Sequence, residues 1–115
     1  MPPFKLDLER LSSSDETLTI YKATGKLSLE TVTEFIQKVR PETAASVVLD
    51  MSGVTFLDSA GVGSLVSLFV SRRSLGKTFG LAALTQQSAA VVTVAGLQNL
   101  LPVYKTVEEA VAKKG

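Results

Sequence analysis

The residue best placed for chemistry in this sequence is the serine of the segment Asp58-Ser59-Ala60-Gly61. A helical pattern begins at this segment, and a serine at a helix start is ordinarily a cap whose side-chain oxygen accepts a backbone N–H. Asp58 is itself a sufficient cap, so the Ser59 hydroxyl has no obvious structural duty. Ala60 and Gly61 are small and leave that hydroxyl approachable. Two interpretations therefore stay open: Ser59 is a helix cap, or its hydroxyl is available to another molecule.

Most catalytic chemistry is excluded by two residue types that the sequence lacks. The chain contains no Cys, which excludes disulfides, thiol catalysis and thiolate metal sites. It also contains no His, which removes the commonest general base, the Ser-His-Asp nucleophile system and nearly all zinc chemistry. We therefore expect no enzymatic activity, no metal and no cofactor.

Two further patterns suggest nucleotide or acid–base chemistry, and both are weak. Gly61-Val62-Gly63 opens a helix as a dinucleotide-binding fingerprint does, but Val66 occupies the third glycine position and the preceding loop is too long. The sequence has no G-x-x-x-x-G-K-[ST] motif to hold a phosphate. Asp50 and Asp58 lack the contrasting environments that an acid–base pair needs. We expect Asp50 to accept backbone N–H groups at a strand end and Asp58 to cap the helix.

The elements that position Ser59 follow from hydrophobic periodicity and from Gly, Pro and capping residues. Strands are predicted at residues 6–11, 17–23, 46–51, 78–84 and within 99–104, and helices at 28–40, 58–73, 85–96 and 106–114. Gly25 would end the second strand, and Ser28 would cap the first helix. Residues 12–16 and 52–57 would be loops. Four apolar residues of the second helix, at helical spacing, are expected to face the core: Val62, Leu65, Val66 and Phe69.

This alternation of strands and helices predicts an α/β fold for residues 1–115, as a single domain. We expect a mixed four- to five-stranded sheet with about four helices packed on it. Twelve basic and eleven acidic residues are scattered along the chain and leave a net charge of +1, which predicts neither nucleic-acid nor membrane binding. The N-terminus lacks a signal peptide and no apolar stretch is long enough to span a bilayer, so a cytoplasmic location is expected.

The segment D-M-S-G-V-T-F-L-D-S-A-G-V-G-S-L, residues 50–65, resembles the signature of the STAS domain, specifically that of the bacterial anti-sigma factor antagonists. Gly25-Lys26-Leu27 is similar to the family's G-x-[LI] before the first helix, and Gly96-Leu97 to its G-L near the end. Ser28 stands where the family often has Asp or Ala. Val91-Val92 stand near a place where the family has Phe. These departures bear on the identity of the partner more than on the fold.

The resemblance implies a phosphorylation-switched protein-binding module in transcription regulation. In that family a partner kinase phosphorylates the serine of the motif, which corresponds to Ser59, with Asp58 as the preceding acid. The implied partner is an anti-sigma factor serine kinase, which would supply ATP and magnesium and would be sequestered while Ser59 is unphosphorylated. A phosphatase is a further candidate partner.

The expected partner-binding surface is the start of the second helix together with the preceding loop. It comprises Asp58, Ala60, Gly61, Ser64, Ser67, Gly53, Thr55 and Phe56. The small residues at helical spacing from Ala60 would form a flat face, because small side chains lose little rotamer entropy on binding. A plain solvated face is the alternative. A second function also stays open: a STAS domain serving a stressosome-like scaffold or a lipid-transport complex.

Overall fold

The computed structural model describes residues 5–11 and 15–113, in the element order β-β-α-β-α-β-α-β-α. The strands are β1 Leu6–Leu11, β2 Leu18–Leu27, β3 Ser46–Leu57, β4 Thr78–Ala82 and β5 Val103–Tyr104. The helices are α1 Val32–Val39, α2 Ser59–Ser74, α3 Gln86–Val94 and α4 Val107–Lys113. The predicted α/β class, the element order and the mixed sheet are confirmed. The serine cluster of the first predicted loop, residues 12–14, and the last predicted helical residue, Lys114, lie outside the described residues.

The five strands form one sheet in the order β1-β2-β3-β4-β5, with β1 antiparallel to β2 and the other neighbours parallel. β3 is central, and its first half is buried on both faces, as its β-branched sequence predicts. The short β5 lies at the edge, directly after Pro102. The carboxyl ends of β2 and β3 therefore lie side by side, and α2 begins directly after β3.

The helices cover both faces of the sheet. α1, α2 and α3 pack on the face that carries Tyr21, Leu49 and Phe79, whereas α4 packs on Val48 and Ala82 of the opposite face. Of the four residues of α2 expected to face the core, Val62 and Leu65 are buried, and Val66 and Phe69 are partly buried against the same cluster.

Two strands run further than the sequence predicts. β2 continues through Gly25 to Leu27, because Gly25 adopts a φ of 115° in an irregular part of the β2–β3 ladder. The predicted loop at residues 52–57 is wrong: these residues are the second half of β3, paired with the extension of β2. Because β3 extends to Leu57, only Asp58 separates the end of this strand from Ser59, the first residue of α2.

The first helix begins later than predicted. Ser28 is not its cap; the cap position is Thr31, and the residues between form a turn that leads from β2 into α1. The Thr31 hydroxyl accepts the Ser28 N–H at 3.0 Å and donates to the Lys26 carbonyl at 2.8 Å. This turn lies beside the start of α2, which makes it part of the surroundings of Ser59.

Candidate functional site at the start of helix α2

Asp58 is the N-cap of α2, as predicted, and it also holds a second element. One carboxylate oxygen accepts the Gly61 N–H at 2.8 Å, and the other accepts the Leu29 N–H of the β2–α1 turn at 3.1 Å. The Gly61 N–H belongs to the start of α2, where unpaired N–H groups favour an anion, whereas the Leu29 N–H belongs to the turn before α1. Asp58 therefore fixes the helix start to the neighbouring turn, with one hydrogen bond to each carboxylate oxygen.

Ser59 is the first residue of α2 and is exposed. Because Asp58 supplies the cap, the Ser59 hydroxyl has no capping role, and it makes no hydrogen bond to any residue within the described ranges. The helix-cap interpretation of Ser59 is therefore wrong for this chain. An exposed hydroxyl beside unpaired helix N–H groups is positioned to receive an anionic group or to contact a partner.

Gly61 and Ser64 were expected to contact a partner, but the structure places both inside the fold. A Cβ at position 61 would overlap the Leu27 carbonyl oxygen, so glycine is required for α2 to lie against the end of β2. The Ser64 side chain is 3% exposed, and its hydroxyl donates to the Gly61 carbonyl at 2.6 Å. Ser64 therefore does not belong to a flat exposed face. Its neighbour one turn later, Ser67, is exposed.

The remaining predicted contact residues differ in how far they are exposed. Ala60 is half-buried next to Ser59 on α2. Thr55 and Phe56 are exposed at the end of β3, and the Thr55 hydroxyl donates to the Gly25 carbonyl at 3.2 Å. Gly53 is half-buried, and a Cβ there would press on the backbone of β2, so its role is structural. The accessible part of the predicted surface is thus Ser59, Ala60, Ser67, Thr55 and Phe56.

Sequence reasoning missed two residues that shape this site. The exposed Leu29 lies in the turn held by Asp58, which adds an apolar side chain to the region of Ser59. Gln87 of α3 binds the Leu57 backbone twice, with its amide oxygen accepting the N–H and its amide nitrogen donating to the carbonyl, both at 2.9 Å. Gln87 therefore ties the start of α3 to the end of β3. No local pattern identifies either residue, because both roles depend on tertiary contacts.

A groove of about 680 Å³ runs between α2 and α3 from Ser59. Apart from Ser59, its lining residues are apolar: Val62, Gly63, Val66, Ala90, Val91, Val94, Ala95 and Leu97. At one end of the groove, Gln87 binds the start of α3 to the end of β3, from which α2 begins. Ser59 thus lies where a polar helix start meets an apolar groove.

The polar groups with perturbed titration lie far from Ser59, at the amino end of β3. Hydrogen bonding from the Arg10 guanidinium, above all, lowers the pKa of the buried Glu42 carboxyl to about 2. Burial and the Glu42 carboxylate raise the pKa of Tyr21, whose hydroxyl donates to Glu42 at 2.8 Å, to about 12. Within the described residues no group of three or more potential ligands is placed to hold a metal ion. The region of Ser59 offers an exposed hydroxyl at the end of an apolar groove.

These features define a small α/β domain that presents one exposed serine at the carboxyl edge of its sheet. A family model described as the STAS domain matches residues 10–110. The chain belongs to the STAS domain family, as its motif predicts. No helix among the described residues is long and apolar enough to cross a membrane.

Solved structures share this fold at low sequence identity. An anti-sigma factor antagonist from Mycobacterium paratuberculosis superposes with a TM-score of 0.85 at 20% identity, over 98% of this chain and 97% of that chain. The unphosphorylated anti-sigma factor antagonist SpoIIAA of Bacillus gives 0.74 at 18% identity, over 95% of each chain. A sulfate transporter family protein from Wolinella succinogenes gives 0.76 at 18% identity, over 90% of this chain and 88% of that chain. The fold is therefore common to regulators and to transporter-associated proteins.

Proposed function

We propose that this protein is a cytoplasmic anti-sigma factor antagonist, a binding module without enzymatic activity, whose affinity for an anti-sigma factor kinase is switched by phosphorylation of Ser59. The observation that carries the proposal is the Ser59 hydroxyl, exposed and unpartnered among the described residues, beside a helix cap that another residue already provides. SpoIIAA of Bacillus, which shares the fold, has been solved in both an unphosphorylated and a phosphorylated form.

The chemical step needs only a hydroxyl from this chain. The Ser59 oxygen attacks the γ-phosphorus of ATP, the bond to the β–γ bridging oxygen breaks, and ADP leaves. The hydroxyl proton passes to a base of the kinase, which also supplies ATP and magnesium, because the sequence has no phosphate-binding loop. A phosphatase would reverse the modification by hydrolysis of the phosphoserine.

The effect of the phosphate on binding follows from charge. Phosphorylation adds about −1.5 to −2 charges at neutral pH. The helix N-terminus favours this group and should keep the fold intact, whereas the Asp58 carboxylate beside it and any acidic or apolar partner surface oppose it. Two like charges about 5 Å apart repel by about 1 kcal/mol in water and about 3 kcal/mol at an effective dielectric of 20. Such a cost, where a partner surface presents the like charge, weakens binding by about five- to 150-fold.

The proposed docking surface joins the accessible residues around Ser59. Ala60 and Ser67 form its α2 part, and Phe56 and Leu29 supply exposed apolar side chains on the neighbouring elements. Exposed apolar side chains such as these supply the part of a protein interface that loses water on binding. Because Asp58 joins α2 to the turn of Leu29, both parts of the surface keep a fixed relative position.

The proposal is tested with a histidine-kinase-like ATPase encoded beside a sigma factor in the same genome. After incubation with this ATPase, ATP and magnesium, mass spectrometry should place one phosphate on Ser59. Calorimetry should show tight binding of Ser59→Ala and weak binding of Ser59→Asp and of the phosphorylated protein, with unchanged melting curves. Ser74→Asp, at the other end of α2, is the matched control and should bind like the wild type. Phosphate mapped to Ser52 instead, or equal affinity of all forms, would refute the proposal.

A second candidate is a STAS module within another assembly, such as a stressosome-like scaffold or a transport complex. The fold shared with a sulfate transporter family protein favours it. Pull-down with the wild type and with Ser59→Asp distinguishes the two functions. A transport or scaffold protein that binds both forms equally would support the second candidate.

A further inference from the structure

Gln87 holds the start of α3 at a place where the sheet has no strand to hold it. β4 pairs with β3 only as far as Ala82 and Asp50, so the last part of β3 has no strand neighbour on that side. There the Gln87 side-chain amide bonds the N–H and the carbonyl of Leu57, both at 2.9 Å. Two hydrogen bonds from one half-buried side chain thus take the place of a neighbouring strand.

The rest of α3 is only lightly attached to the fold. Two of its nine residues are buried, Ser88 and Val92, whereas six of the sixteen residues of α2 are buried. The helix contains no charged residue, so no ion pair holds it. A helix of nine residues is also too short to be stable without its packing. The position of α3 therefore depends on a few apolar contacts and on the Gln87–Leu57 contact.

The segments on both sides of α3 contain a residue in the left-handed region. Gly96, directly after the C-cap of the helix, has a φ of 73°, which glycine adopts without strain. Ala83, directly after β4, has a φ of 56°, and it is the single non-glycine residue with a positive φ in the described part of the chain. Strain of this kind persists only where surrounding contacts enforce it, and it is concentrated in segments that switch between states. The docked position of α3 therefore holds Ala83 in a strained conformation.

We propose that α3 opens as a unit about Ala83 and Gly96, while the sheet and α2 stay folded, and that the Gln87–Leu57 contact limits this opening. The strain at Ala83 is released in the open state, whereas the two hydrogen bonds of Gln87 exist only in the closed state. The closed state is the one described above, and the open state is a minor population in equilibrium with it.

The opening changes what a molecule meets beside Ser59. Residues of α3 form one wall of the apolar groove, and Ser59 belongs to the other wall. Opening also frees the N–H and the carbonyl of Leu57, which directly precedes Asp58, the cap of α2. A partner that binds at Ser59 and prefers one of the two states shifts the equilibrium toward that state. This coupling rests on the function proposed above, whereas the opening itself does not.

Native-state hydrogen exchange of the full chain, without any partner, tests the opening. Amides of residues 90–94 in α3 should exchange at a lower free energy of opening, and with a weaker dependence on denaturant, than amides of residues 47–49 in β3. Gln87→Ala should speed exchange in α3 by about tenfold or more, because the closed state loses two hydrogen bonds. Gln86→Ala, at the exposed neighbour, is the matched control and should change the exchange rate by less than about twofold.

Val111→Ala separates a local opening from global unfolding. Val111 packs on the opposite face of the sheet, which stays folded in the open state, so this variant should speed exchange in β3 and leave exchange in α3 unchanged. Ala83→Gly should slow exchange in α3 by about threefold or more, since glycine adopts the left-handed region without strain. The proposal is overturned if Val111→Ala speeds both elements equally, if Gln87→Ala has no effect in α3, or if Ala83→Gly fails to slow exchange there. None of these results bears on phosphorylation of Ser59, which mass spectrometry tests independently.

Discussion

The two ends of the central strand β3 use polar residues in opposite ways. At the amino end, Arg10, Tyr21 and Glu42 are joined by hydrogen bonds, and Arg72 donates to three main-chain carbonyls. At the carboxyl end, the Ser59 hydroxyl is exposed and has no partner among the described residues, and an apolar groove opens beside it. The first arrangement stabilises the fold, and the second leaves a surface for binding.

The difference follows from the topology. In a parallel sheet the carboxyl ends of strands face the starts of the next helices, where N–H groups are unpaired and ligands commonly bind. At the amino ends of the strands, the chain enters the sheet from the preceding helices. The main-chain carbonyls of these connections need hydrogen-bond donors. Arg72, near the end of α2, supplies such donors to Glu42, Ala44 and Thr78. We therefore expect substitutions at the amino end to change stability and substitutions at the carboxyl end to change binding.

The largest effect is expected for Arg72→Met. The variant keeps the apolar stem but leaves three main-chain carbonyls without their donor, and each such loss costs about 1 to 3 kcal/mol when buried. We expect unfolding in denaturant to show a loss of about 4 kcal/mol. Arg73→Met, on the exposed neighbour, is the control and should change the free energy of unfolding by under about 0.5 kcal/mol. Equal losses in the two variants would mean that the buried network adds nothing.

The next effect separates the two serines of α2 that sequence reasoning treated alike. Ser64→Arg forces a long charged side chain into a buried position and breaks the bond to the Gly61 carbonyl, so we expect a loss of about 3 kcal/mol in stability. Ser67→Arg lies on the exposed side and should leave stability unchanged within about 0.5 kcal/mol. It should weaken binding of the kinase partner that we propose by about tenfold. Calorimetry and melting curves of both variants give the answer, and a stable Ser64→Arg protein would contradict the burial.

A smaller effect is expected from pH at the amino end. The folded pKa of Glu42, about 2, lies below its ordinary 4.5, so the carboxylate stabilises the fold fully above pH 4.5 and loses this contribution as the pH falls toward 2. Because the Arg10 side chain is 56% exposed, solvent screens the pair, and we expect about 2 kcal/mol. Denaturant unfolding between pH 2 and pH 5 should show this slope in the wild type. The free energy of unfolding should depend less on pH in Glu42→Gln. An identical pH dependence in both proteins would mean that other carboxyl groups cause the acid sensitivity.

The sequence predicted the parts of the site that depend on local chemistry. The first half of β3 is a β-branched run, and Asp58 accepts an N–H group at the helix start where a cap was expected. Thr85 and Thr106 do the same at the starts of α3 and α4. Local rules suffice for these features, because a cap and its partner are only three residues apart in the chain.

The rest depends on contacts between distant segments. Residues 52–57 contain Ser, Gly and Thr and look like a loop, but pairing with the extended β2 makes them a strand. Ser64 fell outside the expected apolar stripe. It is buried because α2 is covered by other elements on more than one side, and a small hydroxyl bonded to a carbonyl one turn earlier fits there. The buried roles of Glu42 and Arg72 were not predicted, since Glu42 binds Arg10 and Arg72 binds Glu42 and Ala44 across about thirty residues of sequence.

The smallest expected effect is also the most direct test of what Ser59 does. Asp58→Ala removes a cap that holds two N–H groups and should destabilise the protein by about 1 kcal/mol or slightly more. Ser59→Ala removes a hydroxyl with no partner among the described residues and should change stability by under about 0.5 kcal/mol, because alanine is at least as good a helix former. Paired denaturant titrations resolve this difference. If Ser59→Ala loses as much stability as Asp58→Ala, the hydroxyl has a structural partner, and the contrast between the two ends of β3 fails at the residue on which the proposed switch depends. If Ser59→Ala loses no stability, the fold does not need a serine hydroxyl at this position. The exposed hydroxyl is then available for the binding and phosphorylation that we propose.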